Sequence, residues 1–121
     1  MNDFWNWDHA AAVLPQLIEG LGITVLATVV GMVIAAILGL VVAIVRRSRV
    51  RAVTLPVGFL VEFIRSTPLL VQLVFANLLF TQFPSLAVGC VVLGIHYATY
   101  MSEVYRAGID AVPRADRKSV V

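Results

Sequence analysis

The sequence predicts an all-α integral membrane protein with three transmembrane spans, the N-terminus outside and the C-terminus cytoplasmic. Three observations lead there. From Leu21 to Val45 the chain carries no charge, and about 20 apolar residues suffice to cross a hydrocarbon core of roughly 30 Å as a helix. Hydrophobic residues make up 60% of the chain and charged residues 13%, against about 25% charged in a globular domain. Finally, Arg46, Arg47, Arg49 and Arg51 follow the first apolar stretch directly, whereas residues 1–20 hold Asp3, Asp8 and Glu19 and no Lys or Arg. Cytoplasmic loops are enriched in Lys and Arg, so the arginine loop lies inside and the N-terminus outside.

The first 16 residues read as an external or interfacial tail. Phe4, Trp5 and Trp7 stand among polar residues there, and Trp favours the membrane–water interface; a disordered lead-in is the other reading of the first few positions. An acidic start and a long apolar stretch do not match a cleavable signal peptide, which opens with a basic region and a short apolar core. The first span is expected over residues 17–45. Gly31, Ala35 and Gly39 recur every four residues and form a helical stripe of small side chains, which lets another helix approach closely.

The second span is expected over residues 57–83 and is less uniform. Glu62 and Arg65 are three apart and neighbours on a helical face. Thr67 reads as the N-cap of a new helix that starts at Pro68 and runs to about Phe83, since Thr caps well and Pro suits the first helical position. Residues 56–66 then form a separate amphipathic piece at the cytoplasmic interface. The alternative is one helix kinked at Pro68. Pro84 and Ser85 mark a short outer turn. The third span is expected over residues 86–109, continuing as a more polar helix through Glu103, Arg106 and Asp110 until Pro113. Glu103 with Arg106, and Arg106 with Asp110, are helical neighbours, and Arg106 and Arg114 put this end in the cytoplasm.

Several function classes are disfavoured. The arginine block abuts a membrane span, which argues against nucleic acid as a partner. Cys90 is the only cysteine, so no disulfide can form within the chain, and its place in mid-span suits a small packing residue. His9 and His96 are far apart, which argues against a metal site. No P-loop, His-Glu-x-x-His or Gly-x-Ser-x-Gly motif is present, so the chain reads as no enzyme and needs no cofactor. Polar residues at membrane depth are the candidates for function: Gln72, Asn77 and Gln82 in the second span, and His96, Tyr97, Thr99 and Tyr100 in the third. Each could equally hydrogen-bond between helices, and Glu62 with Arg65 could be a plain interfacial ion pair.

Two longer runs go further. Phe63-Ile64-Arg65-Ser66-Thr67-Pro68-Leu69-Leu70-Val71-Gln72-Leu73 resembles the signature of the polar-amino-acid family of ABC importer permeases. Tyr97-Ala98-Thr99-Tyr100, followed by Glu103 through Arg114, is similar to the run that leads into that family's Glu-Ala-Ala loop. The resemblance covers residues from about 10 to 114, and within the family the chain looks closest to ectoine/hydroxyectoine permeases.

The resemblance implies a permease subunit of an ATP-driven importer in the bacterial inner membrane, moving a polar amino acid or compatible solute. Its implied partners are ABC ATPase subunits, a second permease, and a periplasmic or lipid-anchored solute-binding protein, with membrane lipid around it. Gln72, Asn77, His96, Tyr97 and Tyr100 are the pathway candidates. Glu62, Arg65, Thr67 and Pro68 form the gating motif, and Glu103, Arg106, Gly108 and Pro113 lead toward the ATPase-coupling surface. The family pattern breaks at Ala115, before the Glu-Ala-Ala loop and two further spans. Residues 17–115 therefore read as a truncated transmembrane domain and residues 116–121 as a non-native tail. The competing reading is a complete three-span scaffold or assembly subunit. A small drug/proton antiporter fits less well, because residues 21–45 contain no acidic group.

Overall fold

The computed structural model describes residues 4–112, and all regular structure among them is helical. The order is α1 (Trp7–Arg46), α2 (Arg51–Ser66), α3 (Leu69–Leu79) and α4 (Ser85–Ala111). Helices α1 and α4 are each long and apolar enough to cross a membrane, and α2 with α3 make a third such unit broken by a bend of 102°.

The N-terminal boundary differs from expectation. Residues 7–16 belong to α1 and do not form a separate tail. The Asn6 side-chain oxygen accepts from the backbone N–H groups of Asp8, at 2.9 Å, and His9, at 3.3 Å. That cap satisfies orphan donors of the first turn and starts the helix well before the charge-free stretch. At 40 residues, α1 is about 60 Å long by helical rise.

The inside of the bundle is built from small side chains. Gly31, Ala35, Gly39 and Ala43 are the buried residues of α1. Facing them on α4 is a second stripe with the same spacing, Cys90, Gly94, Ala98 and Ser102, all buried. A Cβ added at Gly39 would stand 2.7 Å from the Met101 Cβ and 3.0 Å from the Ala98 carbonyl oxygen, while one at Gly94 would collide with Ile34. The largest fully buried side chain is that of Ser102. Large apolar residues point outward instead: Met32 is 67% exposed and Leu78 71%. Hydrocarbon solvates Leu as well as a protein interior does, so in lipid the attraction between helices comes from close backbone approach and interhelical hydrogen bonds. One such bond runs from the Tyr105 hydroxyl to the Ala36 carbonyl, at 3.1 Å.

Residue numbers rise together along this contact, Gly31 beside Leu93 and Gly39 beside Met101, so α1 and α4 are parallel. The chain must return between them, and α2–α3 makes that return. α2 begins at Arg51 rather than at Pro56, which falls inside the helix. Thr67 is not the N-cap of the next helix. It ends α2 in an extended conformation (φ −86°, ψ 132°), as the residue before a proline is pushed to do, and its hydroxyl donates back to the Phe63 carbonyl at 2.8 Å. Pro68 is extended as well (φ −57°, ψ 136°) and takes the N-cap position without a side-chain bond, so α3 starts at Leu69. It stops at Leu79 rather than Phe83, because Phe80 leaves helical geometry at φ −110°, ψ 56°. α4 ends at Ala111; Pro113 and the 116–121 tail lie outside the described residues.

Gly39→Leu is expected to destabilise the helix pair by about 1–3 kcal/mol through overpacking. Gly22→Leu, where an added Cβ meets nothing within 4 Å, is expected to be nearly neutral. Reversible unfolding of both variants in detergent, followed by helix content, checks the contrast.

Candidate functional site

The polar groups of the chain collect where the α2–α3 break meets α4. Gln72, one turn into α3, is the centre. Its side-chain amide N–H groups donate to the Ile64 carbonyl at 2.9 Å and the Thr67 carbonyl at 3.2 Å. The Ile64 carbonyl also accepts from the Thr67 backbone N–H at 3.3 Å, while the Thr67 carbonyl lies past the helix end, where carbonyls lack intrahelical donors. The Gln72 amide nitrogen is thereby committed as donor, so its oxygen must accept. The neighbour is His96 Nδ1 at 3.2 Å, and a donor there requires the tautomer protonated on Nδ1. One glutamine thus closes the α2 terminus and ties the bend to α4.

Around His96 the expected residues do assemble. Its ring centroid lies 5.1 Å from that of Tyr97 and 5.5 Å from that of Tyr100, and the two tyrosines are 5.9 Å apart. His96 is buried, while both tyrosines are partly exposed and line a groove of about 340 Å³ with Thr28, Gly31, Met32 and Met101. Thr99 is buried and donates to the His96 carbonyl at 2.6 Å, so it serves the backbone. Asn77 and Gln82 are exposed and take no part in these bonds.

One layer further along, Glu103 gathers three helices. It accepts from Arg46 of α1 at 2.7 Å and from Arg106 of α4 at 3.2 Å, and Arg65 of α2 lies 3.8 Å away. Arg65 also pairs with Glu62 at 3.2 Å, and its guanidinium sits 5.3 Å from the centroid of the Tyr100 ring, within cation–π range. Its Nε is buried and has no hydrogen-bond partner. The expected neighbours Glu103 and Arg106 do pair. Arg106 and Asp110 do not; Asp110 instead accepts from Arg47 at 3.2 Å, because the parallel α1 brings its arginines alongside α4. Arg46 was visible in the sequence only as a topology signal, and its place beside Glu103 follows from that same alignment. Gly108 faces open space, and Pro113 lies outside the described residues.

Known proteins resemble the chain in sequence and in fold. No family model matches the chain. It is 42% identical over 126 residues to a Sinorhizobium fredii protein named Probable amino-acid ABC transporter permease protein y4tG, covering 95% of this chain and 54% of that one. It is 32% identical to the arginine transport system permease protein ArtQ of Bacillus subtilis, covering 96% of this chain and 56% of ArtQ. A crystal structure of an amino acid ABC transporter with histidines superimposes with a TM-score of 0.82 at 30% identity, over 94% of this chain and 55% of the matched one. In sequence and in fold the chain is similar to these amino-acid ABC transporter proteins over about half of their length. It spans about half the length of the permeases it matches. Its helices superimpose on that transporter structure over 94% of this chain.

A double-mutant cycle separates the ion pairs. Arg46 and Glu103 are only 17% and 35% exposed, against 41% and 64% for Arg47 and Asp110. Coupling between Arg46→Gln and Glu103→Gln is expected to exceed about 1 kcal/mol, and that between Arg47→Gln and Asp110→Asn to stay below about 0.5 kcal/mol, since exposed pairs contribute little. Unfolding of the single and double variants in detergent gives both values.

Proposed function

We propose that this chain is the permease subunit, or about half of the transmembrane domain of one, in an ATP-driven importer of a polar amino acid or an ectoine-like compatible solute. The observation that carries this reading is the broken α2–α3 unit tied to α4 through Gln72 and His96, within a fold that superimposes on an amino acid ABC transporter structure. Three spans, N-terminus outside and C-terminus inside, lie in the bacterial inner membrane, supported by the arginines grouped at the α1–α2 turn and the positive-inside rule.

The parts divide the work in this way. α1 and α4 form a rigid pair, because their small stripes leave no room for sliding. α2 and α3 meet at a break, and their relative angle is held by side-chain bonds that can open and re-form. Gln72, His96, Tyr97 and Tyr100 face the solute pathway, and Glu62, Arg65, Thr67 and Pro68 form its movable edge. Asn77, exposed toward the far end of α3, is a further pathway candidate. The polar end of α4, with Glu103, Arg106 and Gly108, faces the ATPase subunits, and Pro113 follows it in sequence toward the same coupling surface. The solute arrives from a periplasmic or lipid-anchored binding protein, and ATP hydrolysis belongs to the separate ATPase.

Uptake tests the reading. Cells expressing an amino-acid ABC permease whose matching half is replaced by residues 4–112 of this chain, with that permease's ATPase and binding protein, are expected to accumulate labelled arginine, glutamine, histidine or ectoine in an ATP-dependent manner. Gln72→Leu is expected to lower the rate several-fold, since it strips three hydrogen bonds from the break, two of them at backbone carbonyls. Membrane insertion of the chimera without uptake of any of these solutes would favour a scaffold subunit instead.

A further inference from the structure

We propose that α2 is an interfacial helix that docks on anionic phospholipid, its outward face lying in the acyl boundary and Arg49 and Arg51 taking the lipid phosphate. This inference rests on the membrane reading of the chain and is independent of transport.

The two faces of α2 differ sharply. Thr54, Val57, Gly58 and Val61 turn toward the rest of the protein and are buried or half-buried. Positions 55, 59, 60 and 63 fall on the opposite side of a 3.6-residue helix, and there stand Leu55, Phe59, Leu60 and Phe63, all exposed, with Phe59 at 74%. Water would not tolerate such a face. It is too short to span a bilayer at 16 residues, and the 102° bend keeps it from continuing straight into α3. An amphipathic helix of this kind lies in the plane of the interface with its apolar side toward the acyl chains.

Charge selects the lipid. Arg46 and Arg47 are engaged by Glu103 and Asp110, whereas Arg49 and Arg51 are exposed and neither has a carboxylate within ion-pair distance among the described residues. Between Glu19 and Glu62 the chain carries no acidic residue at all. The first turn of α2 adds a second attraction: it has no acidic residue and no side-chain cap, so its free N–H groups and the positive end of the helix dipole stand beside the two arginines. A phosphodiester with a net negative headgroup, as in phosphatidylglycerol, complements both, while zwitterionic phosphatidylcholine brings its own cation into the same space.

The purified 121-residue chain, in detergent with equimolar phosphatidylglycerol and phosphatidylcholine of matched acyl chains, tests this by native mass spectrometry. Phosphatidylglycerol adducts are expected to dominate on the order of tenfold, as follows from two arginines near an anionic surface. R49Q/R51Q is expected to bring that ratio to within about twofold. A second measurement leaves the arginines intact: Phe59→Trp, with Trp5 and Trp7 changed to Phe, is expected to be strongly quenched in phosphatidylglycerol vesicles by bromine on the upper acyl carbons. Equal retention of the two lipids, a preference unchanged in R49Q/R51Q, or an unquenched Trp at position 59 covered by a second copy of the chain would each overturn the proposal.

Discussion

Everything in this molecule depends on the close parallel contact between α1 and α4. Two stripes of small residues, Gly31-Ala35-Gly39-Ala43 and Cys90-Gly94-Ala98-Ser102, bring the backbones near enough that a Cβ at Gly39 or Gly94 has no room. In lipid no hydrophobic force drives helices together, so this fit and the polar contacts along it must do so. The parallel direction has two consequences. It leaves the return to the segment between them, through the 102° bend that joins α2 to α3, and it aligns the arginines at the end of α1 with the acidic residues of α4.

The electrostatics follow from that alignment. Arg46 reaches Glu103 and Arg47 reaches Asp110 because both helices run the same way. Glu103 then stands within reach of Arg65 at the end of α2, so one carboxylate ties three helices at the end where the sequence places the cytoplasm. One layer deeper, Gln72 closes the α2 terminus and hands its remaining acceptor to His96. The break between α2 and α3 is thus supported by bonds to α4, which the α1–α4 contact holds in place.

Much of this was legible in the sequence. The charge-free stretch, the arginine block and the Gly31-Ala35-Gly39 stripe indicated helices and a packing face. Gln72, His96, Tyr97 and Tyr100 stood out as polar residues at membrane depth, and the structure brings them together. What was hidden depended on distant partners. The matching stripe on α4 went unread because Cys90 and Ser102 are small but not glycine or alanine. Asp110 appeared to belong to Arg106 by local spacing, but Arg47 reaches it from α1. Thr67 looked like a cap, yet proline held both Thr67 and Pro68 extended and moved the start of α3 by one residue. Asn77 shared the polarity of Gln72 without its position beside α4.

The most direct test of the account is oxidative cross-linking of Gly31→Cys with Leu93→Cys in a Cys90→Ser background. A Cβ built at Gly31 lies 3.3 Å from the Leu93 Cβ, close to the roughly 3.5–4.5 Å that a disulfide spans. Rapid, near-complete cross-linking in the membrane is the expected result. Failure of this pair, with cross-linking of Gly31→Cys to Met101→Cys in its place, would contradict the parallel register on which the site is built.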